Sequence, residues 1–275
     1  SVERLQPQAE KVDRLFQAFR AIQTDDPAAD TDASEVKAEL RRTLERFEEE
    51  LSDYLSRQYR IGDDRDRYAL WRESHKPFHW FIDFYRTLSE GGFDAIIGNP
   101  PYVEYRKVRS DYSVKGFETE ACGDLYAFVM ERATQLLAPN GGFGMIVPVS
   151  VVSTDGFHAL REVLLRTYQT SWSLSFAERP SKLFSGVEKR LTIWVGQRGA
   201  DGDGNPRLFV SNYRRWFAEE RPVLFETLRF VEKDDRADLV GSALAKIRSP
   251  RELEILHSLA AQRPVASFLR PGGGH

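Results

Sequence analysis

Two consecutive prolines, Pro100 and Pro101, close the apolar run FDAIIGN and lead straight into Tyr102. Proline has no backbone N–H and fixes φ, so the pair cannot continue a central strand and must stand at an abrupt strand end. Phe93–Ile97 is therefore read as a strand, and Asn99 as the residue at its carboxyl terminus. A short continuous apolar run of this kind is the mark of a strand buried on both faces of a parallel sheet.

The segments that follow alternate in type. DLYAFVMERATQLLA places Leu125, Val129, Ala133 and Leu136/Leu137 at helical spacing, opens on Asp124 as a candidate N-cap and stops at PNGG. FGMIVPVS reads as a second buried strand and TDGFHALREVLLRTY as a second helix. WSLSF and RLTIWVG read as two more strands, separated by a loop containing Leu183-Phe184-Ser185-Gly186. Such alternation predicts an open α/β sheet with helices on both faces, in which ligands sit beyond the carboxyl ends of the strands. Phe93–Ile97, Phe143–Val147 and Leu191–Val195 are expected in one sheet, with Asn99 at its ligand-binding end.

Before residue 90 the pattern is helical. Val2, Leu5, Ala9, Val12, Leu15/Phe16, Phe19 and Ile22 form one stripe, and Leu40, Leu44, Phe47, Leu51 and Tyr54 another. The breaker-rich TDDPAADTDASE between them ends in a candidate capping box from Asp32 to Glu35, and the expected product is a helical hairpin. The stripe lasts barely two heptads, which suits an intramolecular seam better than a partner-binding coil. Trp80, Phe81, Phe84 and Tyr85 read as packing. His75 and His79 are separated by Pro77 and have no carboxylate or cysteine beside them, so they are not read as metal ligands.

Composition excludes several classes. The 275 residues, 41% hydrophobic and 29% charged, suffice for one large core or two modest ones. The single cysteine, Cys122, cannot form an internal disulfide, no signal-peptide pattern opens the chain, and the longest nearly apolar run, FGMIVPVSVV, is too short to span a bilayer. A cytoplasmic protein is expected. The formal charge of −3 gives no general basic field, so any nucleic-acid surface must be local. A start at Ser1 fits an excised fragment.

An Asn-Pro-Pro-Tyr corner suits one kind of chemistry. An exocyclic amine on a heteroaromatic ring is a poor nucleophile because its lone pair is delocalised into the ring. Two acceptors, the Asn99 side-chain oxygen and the Pro100 carbonyl, stabilise positive charge as it develops on such a nitrogen. The prolines keep that carbonyl aimed, and Tyr102 offers a flat face for an extruded base.

NPPY at a strand end, followed by DLYAFVMERATQLLAPNGGFGMIVP, resembles the catalytic half of S-adenosylmethionine-dependent adenine-N6 DNA methyltransferases of the restriction-modification type. HWFIDFYRTLSEGGFDAIIGNPPYVEY resembles especially the fused type IIG enzymes and related phage-defence methylases. The resemblance covers about residues 75 to 200. It implies a Rossmann-like methyltransferase sheet, S-adenosylmethionine as cofactor and double-stranded DNA with a flipped adenine as partner. It implies that Asn99 and Pro100 bind the target amine, that Tyr102 stacks on the base, that Pro101 shapes the substrate site, and that Phe184 closes the other face.

Two departures matter. The family's glycine-rich cofactor loop between a strand and a helix is absent: NGGFG leads into a strand, and GADGDGN lies between two apparent strands. The first half of the methyltransferase domain is therefore expected to lie outside this chain, leaving the cofactor-binding residues unknown. Residues 201–275 carry no readable motif and stand where a target-recognition domain would follow. The expected division is a helical region at 1–90, the catalytic half at 91–200 and an extension at 201–275. YRKVRSDYSVKGF interleaves Tyr105, Tyr112 and Phe117 with Arg106, Lys107, Arg109 and Lys115, a pattern that fits contact with a phosphate backbone or simple solvation. Three readings stay open: an adenine methyltransferase with a possible fused or partner nuclease, a protein glutamine-N5 methyltransferase, and a non-catalytic DNA-binding or scaffold module.

Overall fold

The computed structural model describes residues 6–25, 30–61, 64–200, 206–233 and 243–262. The chain divides into two compact units, Ser1–Glu90 and Gly91–His275.

In the first unit, α1 (Gln6–Asp25) and α2 (Asp30–Gln58) form the expected hairpin. Val12 and Phe16 from one stripe meet Phe47 from the other, with Leu40, Leu44 and Leu51 packed around them. Helix α2 begins at Asp30, so Asp32 and Glu35 lie inside its first turns instead of boxing its start. Residues 26–29 of the expected loop, and Val2 and Leu5 of the first stripe, lie outside the described residues. A third helix, α3 (Arg65–His75), is capped by Asp64, whose side chain accepts from the amides of Asp66 and Arg67. It stops at Lys76, in a left-handed conformation (φ 42°), before Pro77.

Two short helices follow, α4 (Trp80–Asp83) and α5 (Tyr85–Ser89). Tyr85 is buried edge-on against Phe16 at 5.0 Å and donates to Asp13 at 3.0 Å, while Phe81 meets Phe47 at 6.0 Å. The two histidines take separate partners: His79 Nε2 lies 2.9 Å from Ser52 Oγ, and His75 packs on Tyr59 and Trp71.

The second unit runs β1 (Phe93–Gly98), α6 (Leu125–Leu136), β2 (Leu137–Pro148), α7 (Ser150–Ser153), α8 (His158–Thr167), β3 (Tyr168–Phe176), β4 (Leu191–Arg198), β5 (Arg207–Arg214), β6 (Phe230–Lys233) and α9 (Pro250–Ala260). The six strands form one sheet in the order β1-β2-β4-β3-β5-β6. The expected strand segments all lie in it, and residues 207–233 add two more strands. The sheet is mixed, not parallel throughout. β1 pairs with β2 and β3 with β5 in parallel, whereas β4 runs antiparallel to both β2 and β3. The reason is the connection: residues 177–190 return the chain without a helical crossover, which allows only an antiparallel neighbour.

A second correction concerns β1. It stands at the edge of the described sheet, and Ile97 is 84% exposed instead of buried on both faces. Entry into β1 is tight. Gly92 has φ +117°, and a Cβ there would meet the Leu136 carbonyl oxygen at 2.6 Å, so no larger residue fits.

Adjacent residues of β4 point to opposite faces, and each face has its own core. Trp194 joins Tyr126 and Met130 of α6, Leu160 and Leu164 of α8, and Phe143, Met145 and Val147 of β2. Ser173, directly across from Trp194 in β3, leaves room for the indole. Ile193 faces the other way, with Trp172, Leu174, Phe176, Trp216 and Leu224. That second face is covered by the segment after β5, which includes the 3₁₀ turn Ala218–Val223.

These directions bring the carboxyl ends of β1, β2, β3 and β5 and the start of β4 to one end of the sheet. Gly98 pairs with Met145, Pro148 with Leu191, Leu191 with Phe176, and Phe176 with Arg214.

Candidate active site

Asn99 follows the last residue of β1 and is exposed, Pro100 beneath it is buried, and Pro101 is exposed again. The corner is held from both sides. On one side β1 is hydrogen-bonded to β2; on the other, the Tyr105 amide donates to the Gly123 carbonyl at 2.7 Å and the Leu125 amide to the Val103 carbonyl at 2.9 Å. Between those bonds Glu104 and Asp124 form an antiparallel bridge. The turn is thus clamped between a strand and the entry to α6.

Tyr102 folds back over this turn. Its hydroxyl lies 2.6 Å from Asn99 Oδ1 and 2.9 Å from the carbonyl oxygen of Ile146 in β2. A phenol has one proton and cannot donate fully to two acceptors. The Ile146 carbonyl can only accept, whereas an asparagine amide presents either its oxygen or its nitrogen. Turning the Asn99 amide over satisfies all three groups: Nδ2 donates to the phenol, the phenol donates to Ile146, and Oδ1 is freed. Burial pushes the Tyr102 phenol above its usual range, so it keeps that proton at neutral pH.

Behind Tyr102 runs an aromatic column. Tyr126 meets it edge-on at 6.4 Å and stacks on Phe157 at 5.2 Å, and the Tyr126 hydroxyl lies 2.8 Å from Ser150 Oγ. Asp124 occupies the N-cap position of α6, but its side chain makes no capping bond. Burial, and then Glu104, push its carboxyl up, while Lys189 and Lys107 pull it down. Lys189 thus brings the end of the β3–β4 loop into electrostatic range of the turn.

Phe184 lies in that loop and is neither fully buried nor part of a core cluster. Its neighbour Leu183 packs against the core shared by Phe176 and Trp216. Arg221 donates to the Lys182 carbonyl at 2.7 Å and covers the Trp216 ring at 4.8 Å, and the Ser181 amide donates to the Trp216 carbonyl at 3.2 Å. The Phe184 loop is anchored by the segment after β5.

In YRKVRSDYSVKGF two of the three aromatic residues pack inward, and Tyr112 stays exposed. Tyr105 and Phe117 both pack on Phe128, at 5.5 and 5.6 Å, and the Tyr105 hydroxyl receives the Val114 amide. Arg106 and Lys107 are paired with Glu104. Packing takes Tyr105 and Phe117, two of the three rings that an alternating sequence pattern offered as a stacking surface.

Comparison with known proteins places this arrangement. The family model described as Eco57I restriction-modification methylase matches residues 15–184, a span from α1 to Phe184 that includes the whole Asn-Pro-Pro-Tyr turn. The chain belongs to the Eco57I restriction-modification methylase family. It is similar to the adenine-specific methyltransferase BrxX of Escherichia coli, 26% identical over 200 residues, 66% of this chain and 16% of that protein. It is similar to the type II methyltransferase M.HincII of Haemophilus influenzae, 29% identical over 135 residues, 46% of this chain and 26% of that one. With the type II methyltransferase M.TthHB8I of Thermus thermophilus it shares 27% identity over 189 residues, 61% of this chain and 42% of the relative. The chain spans less than half the length of each of these relatives.

For an Eco57I-family methylase the described residues supply one side of a site. The turns after β1, β2 and β3 contain no glycine cluster opening a helix. What the turn presents is an amide, a proline carbonyl and an aromatic face. The Ile146 carbonyl and the Arg221 anchor had no signal in the sequence, since both depend on which segments become neighbours.

Proposed function

We propose that this chain is the amine-binding part of a site-specific DNA adenine-N6 methyltransferase of a restriction-modification or phage-defence system. The observation that carries the reading is the Asn-Pro-Pro-Tyr turn at the carboxyl end of a strand in a methylase-family chain, with the Tyr102 hydroxyl within hydrogen-bond distance of both Asn99 Oδ1 and the Ile146 carbonyl. With its amide turned so that Nδ2 meets the phenol, Asn99 Oδ1 accepts one N6 hydrogen of a flipped adenine and the Pro100 carbonyl the other. As the amine becomes a nucleophile its nitrogen gains positive charge, and two fixed oxygens in the plane of the ring stabilise that charge more than they stabilise the neutral amine.

Tyr102 takes one face of the base, and Phe184, carried on its anchored loop, the other. Pro101 fixes the backbone between acceptor and ring. Within this reading residues 1–90 are a helical region, residues 91–200 the catalytic half, and the C-terminal part leads to a target-recognition domain. S-adenosylmethionine is the methyl donor for this family's chemistry and is bound by residues other than those described. Any nuclease is a fused segment or a separate partner.

Expressing the gene product that carries these residues in a host without adenine methylation, and sequencing the host DNA for modified bases, tests the proposal without knowledge of the target sequence. N6-methyladenine at a recurrent sequence is expected with the wild type and none with Asn99→Ala. Methylated glutamine in host protein, or unmodified DNA, would overturn it.

A further inference from the structure

At the same end of the sheet as Asn99 lies a cleft of about 630 Å³, lined by Ala177, Glu178, Arg179, Pro180, Arg190, Tyr213 and Arg215. It sits where β3 and β5 end and β4 begins, and the Ala177 amide donates to the Arg214 carbonyl at 2.8 Å across its floor. Three arginines face one glutamate there. The ion pairs of this region run between Lys182 and Glu188 and between Arg214 and Glu220, and leave Arg179, Arg190 and Arg215 outside them. Arg179 is the most committed of the three, since it adds to the effect of Lys182 in holding the Glu188 carboxyl below its usual range.

Arg190 and Arg215 both act on Tyr213, whose phenol is pushed up by burial first and by Glu178, and pulled down by these two guanidinium groups. The cleft thus offers cationic forks and a hydroxyl to an anion, in a chain whose net charge is −3. Such a local excess of positive charge favours an anion, whose oxygens the guanidinium groups can share.

We propose that this cleft takes a phosphate of the DNA backbone, and that Arg190 and Arg215 are its principal ligands. The proposal rests on the adenine methyltransferase reading. Three strand spacings, from β1 to β2, β4 and β3, separate the cleft from the Asn99 corner. At ~4.8 Å each this is about 14 Å. Arginine forks match the geometry of phosphate oxygens, and contacts of this kind fix register on the duplex without reading sequence.

The test is the salt dependence of duplex binding by the full gene product. Each phosphate contact contributes about −0.9 to the slope of log K against log salt. With one phosphate in the cleft, the Arg190→Gln/Arg215→Gln double variant is expected to flatten that slope by about 0.9, equally for cognate and random duplexes, while the Lys/Lys variant restores most of it. Asn99→Ala should leave the slope as in the wild type. Both arginines are exposed, so an unchanged thermal midpoint is expected and keeps the comparison valid.

If the wild type methylates adenine and binds duplex, yet the double variant keeps the wild-type slope, the cleft is not a phosphate site and the methyltransferase reading stands. If the slope flattens but no methyladenine is found, the phosphate site stands and the assigned chemistry fails. Absence of duplex binding by the wild type overturns both. Tighter binding of an acidic peptide than of duplex in the same cleft, lost in the double variant, overturns the assignment of a DNA ligand.

Discussion

Asn99 is exposed and makes no backbone contribution to the sheet beyond its place at the strand end, so its side chain can be removed with little effect on folding. Asn99→Ala is expected to abolish methyl transfer while leaving the thermal midpoint within a degree or so, checked by methyl incorporation and calorimetry on the same preparation. The proposed function gives Tyr102 two separable roles. Its hydroxyl orients the Asn99 amide from the Ile146 carbonyl, and its ring provides a stacking face. A net hydrogen bond contributes about 0.5–1.5 kcal/mol, so Tyr102→Phe should lower kcat by roughly threefold to tenfold. Tyr102→Ala also removes the ring and should cost about 1–3 kcal/mol more. Equal activity of Tyr102→Phe and wild type would show that the hydroxyl does not set the amide. The flat ring at the strand end is readable from the sequence; the hydroxyl's contact is not, because Ile146 lies 44 residues away in β2.

At the scale of elements, the β3–β4 loop and the helical hairpin carry one prediction each. Arg221 holds the loop through the Lys182 carbonyl. Arg221→Ala should make the 181–187 segment several-fold more sensitive to limited proteolysis and should raise KM for DNA more than it lowers kcat. In the hairpin unit, burial lowers the His79 pKa, with Arg72 adding to it, while Glu48 and Asp83 oppose. A depressed folded-state pKa means that the unfolded chain binds the proton more readily. Stability is then full above the ordinary histidine range near 6.5 and is lost as pH falls through it toward the folded value. Chemical denaturation should show this unit weakening between about pH 7 and 5, with the slope reduced in His79→Gln.

The same scale shows what was legible. Helical stripes and apolar strands are local patterns, and the hairpin, α6, α8 and the strand cores follow them. The insertion of β4 between β2 and β3, the exposure of β1 and the packing of Tyr105 and Phe117 on Phe128 are decided by tertiary neighbours. Asn-Pro-Pro-Tyr was readable because proline acts on its own backbone. The arginine cleft was not, since Arg179, Arg190 and Arg215 are scattered over 37 positions, and only the sheet register draws them together.

For the molecule as a whole, the proposed function gives these residues the target amine and leaves the nucleoside cofactor to a glycine-rich turn that the sequence does not contain. Titration of these 275 residues with S-adenosylmethionine should therefore give no saturable heat at micromolar concentration. Saturable binding in that range would mean that the chain makes a cofactor site of a kind not recognisable from a glycine-rich turn. Among the described helices none is long and apolar enough to cross a membrane. One further consequence follows from the position of β1 at the edge of the described sheet. In a strand bonded on one side only, every second amide points at its neighbour and the rest point away. Deuterium uptake along Phe93–Gly98 should then alternate, slow and fast, with a period of two, wherever that edge is bare. A strand docked on it would erase the alternation, so the isotope pattern across six residues reports whether the edge beside Asn99 is occupied.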